Sequence, residues 1–380
     1  MVKFENHCTT GSGEESIMNT TKNMAITITS ALLFLYITLM IWADSSASNL
    51  ATIDNTANAT ADSSNSDKHL LSRVIISTDI GGYDPDDFQA MVHYLVHADM
   101  FDTEGIIASP PGAGRVSDIL ATLDVYEKDY SNLSAHGNFP TSQSLRNISK
   151  QGATNAAPSA GYRTATEGSN WIITRAHATD PRPLWILVWG SATDLAQALH
   201  DDPIIKSKIR VYLMGSWNTM MDTHARDYIY NNHPDLWLIE CNTTMRGMYI
   251  GGDQNGDLES TAFLEQHIRH HGALGDFYYS KPSYEPLKMG DTPSELYLLN
   301  GNPDDPATPH WGGMFRATDH GPHYWTDITD LKYSQTYHKK TLYGAKTVNV
   351  WRQAYLRDWQ TRMEWAAGTS QSDKKMTSRK

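Results

Sequence analysis

Cysteine is almost missing from this chain: only Cys8 and Cys241 occur in 380 residues. Cys8 precedes a long apolar segment, so a mature exported form would keep Cys241 alone, and no disulfide framework is implied. The same count excludes a zinc–thiolate centre. Basic runs are lacking too. With 31 Lys and Arg against 43 Asp and Glu, the formal charge is −12, and no stripe of cations offers a polyanion a footing. That balance excludes nucleic acid as a partner, whereas an acidic surface is compatible with neutral ligands such as sugars. There is no internal repeat. "SPPGAGR" is not a phosphate loop, because it lacks the Gly-Lys-Ser/Thr ending that contacts phosphates and Mg²⁺.

What is present begins with a targeting region. Met24–Ala43, "MAITITSALLFLYITLMIWA", is a run of twenty mostly apolar residues without a charge, long enough for a bilayer core of roughly 30 Å. Small residues Ser45 and Ala47 follow at signal-cleavage spacing. Residues 1–48 therefore read as a cleaved signal peptide or a retained membrane anchor, which implies export. Residues 49–72 read as a polar Ala/Ser/Asn-rich linker, and 368–380 as a disordered tail. The folded unit is expected at 73–367.

Within that unit, short apolar runs alternate with amphipathic stretches. Val74–Ser77, Gly105–Ser109, Pro183–Gly190, Ile209–Gly215 and Asp235–Cys241 read as strands, and the pattern of Asp86–Met100 as a helix. Near-continuous apolar runs between helices indicate parallel strands covered on both faces, hence a doubly wound α/β fold with a mainly parallel sheet. Ser131–Asp180 reads as surface loops plus one helix. In the last helix, Trp351, Tyr355, Trp359 and Met363 recur every four residues. This is core or interface packing, which leaves a homo-oligomer open.

An open parallel sheet binds ligands outside the carboxyl ends of its strands. Carboxylates, Thr193, Ser216, Asn218, Glu240 and Asn242 gather at or just after the carboxyl ends of predicted strands. The densest cluster is "STDIGGYDPDDFQ" (Ser77–Gln89), with four aspartates in thirteen residues. Gly81 and Gly82 let the loop fold back so that Asp79 and the Asp84/Asp86/Asp87 group converge. All-oxygen ligands select a hard cation, Ca²⁺ or Mg²⁺. The plainer reading, an acidic helix start favoured by the dipole, accounts for one or two of the four.

A strand ending in Asp, a glycine turn and Asp-Asp opening a helix resembles the signature of inosine–uridine nucleoside hydrolases. "TDIGGYDPDDFQAMVHYLVHADMFDTEGIIAS" is closer still to the nucleoside hydrolase-like family first noted in cellulose-binding bacterial proteins. "WGSATDLAQAL", "HPDLWLIECNTTMRGMY", "LKMGDTPSELYLLNG", "PHWGGMF" and "VWRQAYLRDWQTRMEW" agree in order. The resemblance implies a Ca²⁺ cofactor held by Asp79, Asp87, the Thr193 carbonyl and Asp291, with Asp79 as general base. It implies that Asp86, Glu240 and Asn242 hold sugar hydroxyls; Asn218, at the same sheet edge, joins them as a substrate-binding residue. The implied activity is hydrolysis of N-glycosidic bonds in ribonucleosides or related furanosyl compounds. An exported glycoside hydrolase acting on oligosaccharides and a non-catalytic sugar-binding protein are the alternatives. Two departures stand out. The loop from Asp79 to Asp86 is longer than in nucleoside hydrolases, and Gly290 replaces the histidine that protonates the leaving base. His310, His320, His323 and Trp217 are the candidate substitutes.

Overall fold

The computed structural model describes residues 71–109, 112 and 114–368. The expected leader or anchor, all but the end of the linker, and all but the first residue of the tail lie outside the described residues. One sheet contains β1 (Ser72–Thr78), β2 (Phe101–Ala108), β3 (Ser149–Gln151), β4 (Leu184–Val188), β5 (Ile209–Met214), β6 (Trp237–Cys241), β7 (Phe315–Ala317) and β8 (Tyr324–Asp327). Their order is β3-β2-β1-β4-β5-β6-β8-β7. Every neighbouring pair is parallel except β7–β8.

Alternation along the strands divides the apolar side chains between two cores. Val74 and Ile76 of β1, Trp185 and Leu187 of β4, Tyr212 and Met214 of β5 and Ile239 of β6 face the larger core. Ile75, Ile186, Val211 and Leu238 face the smaller one. Strands buried on both faces have no polar side to show, which is why they read as unbroken apolar runs. The larger core is covered by α1 (Asp86–Val96), α2 (Val116–Leu133), α6 (Thr292–Leu299) and α7 (Arg352–Ala366). The smaller is covered by α3 (Glu167–Ala176), α4 (Thr193–Asp201) and α5 (Thr223–Asn232). Tyr355, Trp359 and Met363 fill the larger core, so the aromatic stripe of the last helix is used within the chain.

The sheet extends beyond the five predicted strands. β3 is the polar "SKQ", and β7 and β8 are "FRA" and "YWTD". These edge segments are held by ladder hydrogen bonds and carry no apolar run that marks them. The predicted helix Asp86–Met100 ends at Val96, and Ala98–Met100 forms a separate 3-10 turn. Ser131–Asp180 carries a short helix (Ser142–Asn147) and β3 besides the expected helix.

The topology also fixes where a ligand belongs. The chain runs from β1 outward to β2 and β3, then returns to place β4 on the other side of β1. The strand order reverses there, and a crevice opens at the carboxyl ends of β1 and β4.

Candidate metal centre and substrate pocket

A pocket of about 440 Å³ lies at this reversal, lined by Asp79, Asp84, Asp86, Asp87, Trp189, Asn218 and Asp291 among others. Asp79 follows β1, where the chain turns sharply: Gly82 N–H donates to the Asp79 carbonyl at 2.7 Å. Gly81 takes a φ of +81°, and a Cβ on it would lie 2.6 Å from the Asp118 carboxyl carbon. Glycine is therefore required on both conformational and steric grounds. On the facing strand, a Cβ on Gly190 would come within 2.8 Å of the Asp79 Cβ. Asp86 and Asp87 open α1, and Asp291 immediately precedes α6. Two helix starts and one strand end thus place their carboxylates at the same pocket.

One carboxylate oxygen each from Asp86, Asp87 and Asp291 lies within 4.8 Å of the others. All three side chains are buried. Asp87 accepts a hydrogen bond from the Thr78 hydroxyl, and Asp291 makes no side-chain bond to the helix it precedes. Lys288 is paired with Asp84 and lies 3.0 Å from Asp86. Among the described residues, neither Asp87 nor Asp291 has an ion-pair partner.

Such crowding raises the proton affinity of the whole group. Burial, then the charge of Asp86, pushes Asp79 up to about 7. Burial followed by neighbouring aspartates holds Asp87 and Asp291 well above the ordinary carboxylate range. Burial also raises Asp86, against the pull of Lys288. Buried carboxylates without a counter-charge are costly, so the donor set fits a hard divalent cation, with the converging Asp86, Asp87 and Asp291 oxygens, and Asp79 on the same pocket wall, as the available ligands.

This arrangement gives a pH signature. Without a cation the folded cluster keeps protons that carboxyl groups of the unfolded chain release at about pH 4. The cluster's contribution to stability is therefore present at low pH and lost as pH rises through about 7 for Asp79. Urea denaturation in EDTA should show wild type losing stability between about pH 5 and about pH 8 more steeply than Asp87→Asn. Equal slopes contradict the assignment.

The other predicted site residues divide by location. Asn218 lines the pocket, its amide nitrogen donating to the Trp189 carbonyl at 2.5 Å and the Met214 carbonyl at 3.2 Å. Glu240 and Asn242 do not line it. They share the side-chain parity of Leu238, so they point to the α5 side of the sheet, while Met214, on the opposite face, borders the pocket. Glu240 is paired with Arg226 at 2.7 Å and accepts from the Tyr324 hydroxyl. Asn242 reaches the pocket wall through its side-chain oxygen, which accepts from Ser216 N–H at 2.9 Å, while its own N–H donates to Asp327 at 3.0 Å. Thr193 opens α4 over the smaller core; its hydroxyl engages Ser191 and Asp222, and it borders a separate cavity with Asp194 and Gln197.

Of the candidate proton donors, Trp217 alone borders the pocket. His310 is buried against Tyr297, hydrogen-bonded to the carbonyls of Thr308 and Asn302 at 2.7 Å. His320 stacks on Tyr230, and His323 lies near Trp325. No histidine lines the pocket among the described residues. Asp84, in the lengthened loop, holds Lys288 and accepts from Ser283 at 2.9 Å. Lys288, Tyr249 and Tyr284 also line the pocket and were not singled out from sequence. Arg246, also on the pocket lining, donates to Ser216 Oγ (3.0 Å) and to the Tyr249 hydroxyl (3.1 Å).

A doubly wound sheet with an acidic pocket at its strand reversal defines a nucleoside hydrolase-like α/β protein. The sequence matches, over residues 73–315, the family described as "Cellulose-binding Sde182, nucleoside hydrolase-like domain", and the chain belongs to that family. It is similar to the structure of a nucleoside hydrolase-related protein from Saccharophagus degradans associated with carbohydrate metabolism. The TM-score is 0.61 at 28% identity, over 79% of this chain and 73% of that one. It also shares its fold with the type III effector XopQ, solved with adenosine diphosphate ribose (TM-score 0.50, 12% identity, 79% and 95% of the two chains). The inosine-uridine preferring nucleoside hydrolase of Bacillus anthracis aligns at a TM-score of 0.47 and 14% identity, over 78% and 100% of the two chains. No curated protein matches the sequence.

Proposed function

We propose that this protein is a calcium-dependent glycosyl hydrolase whose substrate is a furanosyl compound of carbohydrate metabolism. The convergence of the Asp86, Asp87 and Asp291 oxygens within 4.8 Å, beside Asp79, carries the reading. Asp79, Asp87 and Asp291 would hold the ion. When bound, calcium supplies Lewis acidity toward water and toward vicinal sugar hydroxyls. Asp79 accepts the proton of the attacking water, the role of a positioned carboxylate base. Asp86, steadied by Lys288, accepts hydrogen bonds from the sugar, and the surrounding carboxylates stabilise positive charge at the anomeric carbon. Trp217 and Tyr284 are 55% and 67% exposed at the pocket and offer faces for a sugar ring.

Two observations support a sugar-linked substrate over a nucleoside. No histidine lines the pocket to protonate a departing base, and at Gly290 a Cβ would point toward the Asp86 carboxylate, 3.1 Å away. The names of the family and of the Saccharophagus relative tie them to carbohydrate. Export through residues 24–43 belongs to the same proposal and rests on sequence.

The test is a turnover screen of nitrophenyl arabino- and ribofuranosides, arabino-oligosaccharides, inosine and uridine, in calcium and in EDTA. Calcium-dependent cleavage of a furanoside, with the nucleosides untouched, is expected. Cleavage of nucleosides alone would move the assignment to N-glycosidic bonds; no turnover, or turnover indifferent to EDTA, would overturn it.

A further inference from the structure

The acidic pocket raises a mechanical question. Asp86 and Asp87 stand at the start of α1 and Asp291 at the start of α6, so their repulsion acts to drive two helix ends apart. Both helices also present positive N-terminal dipoles to the same point, which offsets part of that repulsion but fixes no distance. A link between the helices is required.

His93 and Glu295 provide one. His93 lies two turns into α1 and Glu295 one turn into α6; His93 Nδ1 and Glu295 Oε1 are 2.8 Å apart, and neither side chain is exposed at all. His93 Nε2 has no partner among the described residues, so the imidazole makes its one polar contact with α6. His93 also stacks on His97, ring centroids 4.2 Å apart, and tilts against Trp359 at 5.4 Å. His97 in turn donates its Nδ1–H to the His93 carbonyl (2.8 Å) and meets the Asp358 carboxyl group of α7 through Nε2 (2.7 Å). The link is therefore braced against α7.

We propose that the His93–Glu295 pair is the positioning element of the metal centre, locking α1 to α6 at the separation that brings Asp86, Asp87 and Asp291 within reach of one ion. The inference rests on the calcium reading above for its consequence, although the lock itself does not require an ion. Two buried ionisable side chains joined by one bond are poor stabilisers compared with an apolar pair of the same volume. A directional bond does something an apolar contact cannot, since it tolerates neither sliding nor rotation of the helices. Burial favours the neutral forms of both groups, lowering His93 and raising Glu295. The Glu295 carboxylic acid then donates to His93 Nδ1, and the pair adds no charge to the cluster.

This protonation pattern yields a discriminating variant set. Glu295→Gln offers an amide N–H in place of the acid O–H and should preserve the bond. Glu295→Leu keeps the volume and deletes it. Hydrogen exchange of metal-free protein should show amides 88–93 and 294–297 opening at least about tenfold faster in Glu295→Leu, with Glu295→Gln near wild type. Calcium titration should give at least about tenfold weaker affinity in Glu295→Leu at unchanged or raised melting temperature, and wild-type affinity in Glu295→Gln. Unchanged exchange in Glu295→Leu overturns the lock. Altered exchange with unchanged calcium affinity overturns its positioning role. A wild type that exchanges as expected but takes up no calcium removes the metal reading and with it that role, while the lock between the helices survives.

Discussion

Asp87→Asn is expected to abolish the response of this protein to calcium and, at neutral pH, to stabilise the metal-free form. Asp87 is 4% exposed, flanked by Asp79, Asp86 and Asp291, and accepts a hydrogen bond from the Thr78 hydroxyl. Asparagine keeps an acceptor for Thr78 and removes one of the repelling charges, so the folded state gains where no cation is present. The same change removes a ligand charge, which should weaken calcium by roughly a hundredfold or more. In wild type, calcium at about 100 times Kd contributes about 2.7 kcal/mol. At roughly 2–4 °C per kcal/mol, that is a rise of about 5–10 °C in melting temperature. Melting curves in EDTA and in calcium check both halves: wild type starts lower and rises, and the variant starts higher and stays. A variant that still rises by the wild-type amount removes Asp87 from the site.

The second large effect is on turnover. Asp79→Asn should lower kcat by about 10²–10⁴, the range carried by a positioned general base, with KM changed far less. Asparagine fits the space: the close approach of Gly190 to the Asp79 Cβ leaves room for no larger backbone neighbour, and the substitution adds no atom there. The amide accepts no proton at accessible pH. The limb of the pH–rate profile that reports the general base should vanish with it. Residual activity that keeps that limb identifies a different base. Measurement is by steady-state kinetics on whichever furanoside the substrate screen selects.

Much of this site is legible in the sequence because its logic is local. Asp79, Asp86 and Asp87 lie in one thirteen-residue stretch after an apolar strand, and the rule that parallel sheets bind at their carboxyl edge locates them without a structure. Asp291 needs the resemblance, since nothing in "KMGDTPS" by itself says that its helix starts against α1. Glu240 and Asn242 went astray for a simple physical reason. Being at the end of a strand decides the edge, but side-chain parity decides the face, and these residues share the parity of Leu238 rather than Ile239. That parity is readable, provided one knows which helices cover which face.

Other parts carry no local signal. Lys288 is a lone cation in a polar loop until the fold brings it against Asp84 and Asp86, 204 and 202 positions away. β3, β7 and β8 lie at or next to the sheet's edges, where backbone pairing substitutes for apolar burial. His93 and Glu295 read as polar positions in helices, and a sequence alone does not reveal that all eleven residues of α1 are buried.

The central claim is that Asp79, Asp87 and Asp291, at the β1–β4 crevice, hold a divalent cation. Calorimetric titration of EDTA-stripped protein with calcium at neutral pH tests it most directly. The account predicts a single saturable site per chain, with proton release revealed as a heat that varies with buffer ionisation enthalpy, because Asp79, Asp87 and Asp291 lose protons when the ion enters. Titration without saturable heat in every buffer contradicts it.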